Sequence, residues 1–115
     1  MDIINILLAL LSIGFGVIGW LAPRYTMDVL DTATKNNSTM GLSEVRAASG
    51  ALFVGLGMGA LLTGLPGAYA AIGFAWGGGA VGRLTSIVLD GPSRLKWIFF
   101  AVEAAVGVTA IVINL

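Results

Sequence analysis

Arg83 and Glu103 are the residues of this chain best placed to do chemistry, because each lies inside an otherwise apolar run. An isolated charge at mid-helix is disfavoured by roughly 2.5–3.5 kcal/mol on membrane-insertion scales, so each needs a partner. Measured from the turn Asp90-Gly91-Pro92-Ser93, Arg83 is seven residues back and Glu103 ten forward. In helical flanks, a rise of 1.5 Å per residue puts them about 10 and 15 Å deep, an offset that a guanidinium side chain bridges. Glu44 and Arg46 enter the same level from another apolar run, and Asp90 sits at the turn itself. Glu44, Arg46, Arg83, Asp90 and Glu103 are therefore expected to form one polar cluster. That cluster reads in two ways. It is either an internal ion-pair network that fixes helix register, or a pocket whose arginines hold an anionic group while Glu103 takes or gives a proton.

The elements that position these residues follow from composition. Hydrophobic residues make up 57% of the 115, charged ones only 10%, and mean hydropathy is +0.96. Those values belong to a chain meant for lipid. A helical crossing takes about 20 residues, so four use roughly 80 and leave only short connections. The spans are expected at about 3–22, 43–63, 68–89 and 94–113, in a single all-α domain over residues 1–115: an antiparallel bundle of four transmembrane helices. The first run is expected to stay attached, since no cation precedes it and it exceeds a cleavable signal's apolar region. Net charge is zero, with no basic run carrying interleaved aromatics, so nucleic acid is not an expected partner. Cysteine and histidine are both absent. Disulfides, the usual zinc sites and histidine-ligated haem are thereby excluded, and no metal or cofactor is expected.

The segment from Pro23 to Leu42 is the one long polar connection. Its Tyr25, Met27, Val29, Leu30 and Ala33 fit a short amphipathic helix on the bilayer surface. Asn36-Asn37-Ser38-Thr39 holds two formal glycosylation sequons, but on the cytoplasmic side they act as a polar turn. Ser43 is expected to cap the second span, with Glu44 in its first turn complementing the helix dipole. Gly64-Leu65-Pro66-Gly67 and Asp90-Gly91-Pro92-Ser93 make tight turns into the third and fourth spans. Trp20, Tyr25, Tyr69 and Trp97 fall near the boundaries, as interfacial aromatics do. All six Lys and Arg residues (Arg24, Lys35, Arg46, Arg83, Arg94 and Lys96) lie on one side of such a bundle. The positive-inside rule makes that side cytoplasmic and puts both termini outside, which for a bacterial cell is the periplasm.

Two glycine motifs carry no chemistry. Gly14-Phe15-Gly16-Val17-Ile18-Gly19 matches a dinucleotide-binding pattern but lies inside an apolar span, without the strand, turn and acidic residue that such a site needs. Gly77 to Arg83 lacks the Lys-Ser/Thr ending of a phosphate loop. Small residues at four-residue spacing have a better use in packing. Ala47, Ala51, Gly55 and Gly59 form one ridge on the second span, with shorter ones at Ala75 and Gly79 and at Ala101, Ala105 and Thr109. Along such ridges helices approach closely, within the bundle or against another subunit.

Ser43-Glu44-Val45-Arg46-Ala47 followed by Gly50, and Gly82-Arg83-Leu84 through Ser86 to Asp90-Gly91-Pro92 followed by Glu103, resemble the signature of a bacterial domain-of-unknown-function family, number 4345. The resemblance covers nearly the whole chain. It implies a small four-span protein of the bacterial inner membrane and brings no activity with it. Ala48-Ser49 stands before Gly50 where that pattern often has a second glycine or an aromatic, so helix packing there is expected to differ.

The first functional expectation is a small non-enzymatic membrane subunit that packs against a larger integral complex or itself, with the charge cluster as internal structure. The alternative is a carrier or binder of a small anion, lipid headgroup or proton through Arg46, Arg83 and Glu103. A membrane enzyme ranks third, because Ser86, Asp90 and Glu103 supply a hydroxyl and acids but no activated nucleophile.

Overall fold

A computed structural model describes residues 2–115, and among them the chain is all-helical. Helix α1 spans Ile3–Leu21, with Asp2 Oδ1 accepting from the Ile4 N–H at 2.9 Å. A short helix α2, Pro23–Val29, follows with proline at its first position, where a missing N–H costs nothing. Helix α3 runs Thr39–Thr63, α4 Pro66–Leu89 and α5 Arg94–Asn114. Four helices, α1, α3, α4 and α5, are long and apolar enough to cross a membrane, the build of a multi-pass membrane protein.

The expected surface helix is shorter than its apolar pattern. It stops at Val29, and the backbone then turns through positive φ at Asp31, Asn36 and Asn37, positions that Asp and Asn tolerate best among non-glycine residues. Met27 buries while Tyr25 and Val29 stay exposed. The second crossing also begins a turn earlier than expected. Ser38 caps it, its Oγ accepting from the Met40 N–H at 3.1 Å. Ser43 is therefore inside the helix, and Glu44 is exposed in its second turn rather than its first.

The helices pack as two antiparallel pairs, α1 with α3 and α4 with α5, and the molecule is flattened to 46 × 30 × 16 Å. Small residues set the spacing within each pair. A Cβ on Gly16 would lie 2.7 Å from both the Gly50 oxygen and the Val54 nitrogen, and one on Gly57 2.7 Å from the Ala9 oxygen. In the other pair, a Cβ on Gly107 would lie 2.7 Å from the Gly77 nitrogen. Lipid does not drive apolar side chains together, so this backbone-to-backbone contact holds each pair. Ser12 adds a hydrogen bond to the Phe53 carbonyl at 3.2 Å.

The two pairs meet toward the end that carries the termini. Ala9, Ala60, Tyr69, Ile72 and Trp76 form the core there, with Phe15 and Phe53 edge-on to Trp76 at 5.6 and 5.7 Å. Tyr69 is thus 1% exposed and part of the core rather than of an aromatic belt, whereas Trp20, Tyr25 and Trp97 remain exposed. A reciprocal amide pair closes the same end: each of Asn5 and Asn114 donates its Nδ2 to the other's Oδ1 at 2.8 Å. Interhelical polar pairs in membranes are worth about 0.6–1.7 kcal/mol. Asn5→Leu and Asn114→Leu are each expected to lose at least that much, because each strands the other amide. The double variant should recover part of the loss in a thermal-unfolding cycle.

Candidate functional site

Arg83 and Glu103 meet across the α4–α5 interface. The Arg83 Nη2 and Nε both donate to Glu103 Oε1, at 2.8 and 3.3 Å. The guanidinium also lies over the Phe99 ring, 5.1 Å from its centroid, a cation–π contact one turn from the carboxylate. Glu103 is the deeper partner, its side chain 14% exposed against 33% for Arg83. Its second oxygen, Oε2, is buried and has no hydrogen-bond donor. That oxygen occupies a hole made by Gly79, where an added Cβ would come within 2.9 Å of it.

Gly79→Ala should push the Glu103 carboxylate aside and loosen its bond to Arg83. Because the neighbour is a side-chain tip rather than backbone, the cost should fall toward the lower end of the about 1–3 kcal/mol typical of overpacking. Gly78→Ala and Gly82→Ala, where nothing lies within 4 Å, should be neutral or stabilising, since alanine favours a helix by up to ~1 kcal/mol. Thermal unfolding in mild detergent separates the three.

The other residues expected in the cluster lie elsewhere. Arg46 donates its Nη1 to the Trp20 carbonyl at 2.8 Å and so satisfies an open carbonyl at the C-terminal end of α1, where a cation also complements the helix dipole. Asp90 accepts from the Ser86 hydroxyl at 3.1 Å, one helical turn away. Glu44 is exposed and forms no ion pair. Among the described residues Arg83–Glu103 is the one salt bridge. The reason is the pairing of the helices: Arg46 belongs to α3 and its contacts run to α1, while Arg83 faces α5.

The small-residue ridges also differ from expectation. Ala47, Ala51 and Gly55 are exposed and Gly59 half-buried, and a Cβ on Gly55 or Gly59 would meet nothing within 4 Å. Ala101 and Ala105 are likewise exposed, while Gly107 and Ala110 make the contact. A π-helical turn at Ala47–Ala51 contributes to this. One extra residue in a turn swings everything beyond it by about 100°, so a ridge counted every fourth residue through it loses its face. The turn lies where Gly50 meets Gly19 and Trp20 backbone to backbone.

Two grooves remain open. One, of about 650 Å³, runs between α3 and α4, lined by Gly55, Gly59, Ala60, Ala68, Ala71 and Ala75 among others, and is almost wholly apolar. The second, of about 640 Å³, lies at the cation-bearing end beside Trp20, Thr39, Ser43, Arg46, Ala47 and Ala51. Sequence reasoning missed both the Asn5–Asn114 pair and the contact glycines Gly16, Gly19, Gly57, Gly73 and Gly107. The signal was present in α1 as Ala9, Ser12, Gly16 and Gly19, small residues spaced three or four apart, and in α4 as Gly73 and Gly77.

No curated protein and no solved structure matches the chain. A family model does, over residues 1–114 of the 115. The chain belongs to the family described as "Domain of unknown function (DUF4345)".

Proposed function

We propose that this chain is a small non-enzymatic subunit of the bacterial inner membrane, both termini periplasmic, that seats a transmembrane helix of a larger integral complex in the groove between α3 and α4. The observation that carries this reading is the groove itself. Gly55 and Gly59 leave open space along a nearly all-apolar surface, and small residues are what close helix approach in lipid requires. The direct Arg83–Glu103 contact supports a structural role for the charges. The confinement of all Lys and Arg to one end supports the orientation.

The test is migration in mild detergent. The protein should run with a larger assembly, and Gly59→Leu, whose Cβ would meet nothing within 4 Å and whose side chain occupies the groove, should release it as a folded free species. Recovery of the unaltered protein only as monomer or homodimer overturns the proposal.

A second reading, a carrier of a proton or small anion, is favoured by the unpartnered Glu103 Oε2. It requires that Glu103→Gln or Arg83→Gln insert and fold yet lose uptake or binding.

A further inference from the structure

At the cation-bearing end, α3 and the last turn of α1 flank an open, shallow groove with both polar and apolar lining. Arg46 and the hydroxyl-bearing Thr39 and Ser43 line it together with Ala47, Ala51 and Trp20. Polar and apolar parts thus adjoin on one surface. Arg46 is held against the wall by its bond to the Trp20 carbonyl through Nη1. Its Nε and Nη2, like the two hydroxyls, have no partner among the described residues. No carboxylate lines the groove and none pairs with Arg46. A fixed, uncompensated guanidinium beside two hydroxyl donors, above an apolar trough at a bilayer boundary, is complementary to an anion that brings its own hydrocarbon.

We propose that this groove binds one anionic phospholipid, its phosphodiester received by Arg46, Thr39 and Ser43 and the first part of an acyl chain lying along Ala47, Ala51 and Trp20. The site is separate from the α3–α4 groove and stands whether or not a partner helix docks there. Arg46 then has two tasks, closing the end of α1 with one nitrogen and holding the headgroup with the others. The planar fork of arginine suits both at once, where the point charge of lysine suits one.

Native mass spectrometry from micelles of equal phosphatidylglycerol and phosphatidylcholine tests this on the whole protein. The unaltered chain should retain a single phosphatidylglycerol in preference to phosphatidylcholine. Arg46→Gln should lower that preference about tenfold, the change expected for one lost charge-assisted contact. Ala47→Leu should lower it similarly by filling the trough with the charge intact, whereas Lys35→Gln, outside the groove, should leave it unchanged. Because Arg46→Gln also frees the end of α1, melting temperatures are read in parallel, and Ala47→Leu, at an exposed position, decides the matter. An unchanged preference in Ala47→Leu means attraction of lipid by charge alone and overturns the proposal. Loss of the bound lipid to added inorganic phosphate at fixed ionic strength means a free-anion site and overturns it equally.

Discussion

Gly107→Leu is expected to force α4 and α5 apart. A Cβ at Gly107 would already lie 2.7 and 2.8 Å from the Gly77 nitrogen and Cα and 3.0 Å from the Gly73 oxygen. These are backbone atoms of a continuous helix, so none can rotate away as a side-chain tip would. Alanine at this position should cost about 1–3 kcal/mol by overpacking, and leucine more. Because Glu103 lies one turn from Gly107, separating the helices also lengthens its bond to Arg83. Loss of packing and loss of the ion pair therefore arrive together. Gly55→Ala is the matched control: it faces open space and removes a glycine from a helix interior, so it should be neutral or gain up to ~1 kcal/mol. Thermal unfolding of the three proteins in one detergent checks the order.

Glu103→Ala is expected to have the second large effect, because it leaves Arg83 unpaired within a span. An unpaired charge at mid-helix is disfavoured by roughly 2.5–3.5 kcal/mol on insertion scales. The loss here should fall near or somewhat below that range, since Arg83 is one-third exposed and its long stem can carry the guanidinium toward the interface. Arg83→Met should be costlier in one respect: it leaves the more deeply buried carboxylate without its donors, and a shorter acidic side chain cannot reach water as readily. Replacing both partners removes both stranded groups. A buried ion pair exchanged for apolar side chains of similar volume is often neutral, so Arg83→Met/Glu103→Leu should recover most of either single loss.

Legibility divided along physical lines. Helix positions follow from runs of apolar residues as long as a bilayer is thick, and three of the four long helices fall within two residues of expectation, as 94–113 expected against Arg94–Asn114 found. The Arg83–Glu103 pair was legible too, because intramembrane charges must find each other and the turn at Asp90 fixes their relative depth. Arg46 was misplaced because depth alone does not say which helix a residue faces. That depends on how helices pair, and pairing is decided by backbone approach at single glycines such as Gly50 and Gly107. Gly55, Gly57 and Gly59 illustrate the difficulty. They are equally small, yet Gly57 alone meets α1 within this chain, since the π-turn at Ala47–Ala51 resets which face follows it. The start of α3 was missed for a local reason: Ser38 and Ser43 are both acceptable caps, and the choice depends on where the Asn36-Asn37 backbone turns through positive φ.

In the proposed function the charges are internal structure and the α3–α4 groove is the surface that receives a partner helix. The most direct measurement is the double variant Arg83→Met/Glu103→Leu, assayed at once for melting temperature and for migration with the larger assembly. The expected result is a folded protein that melts close to the unaltered one and still migrates with that assembly. A double variant that folds as stably yet runs free would contradict the account, because the ion pair would then serve the function itself rather than the fold.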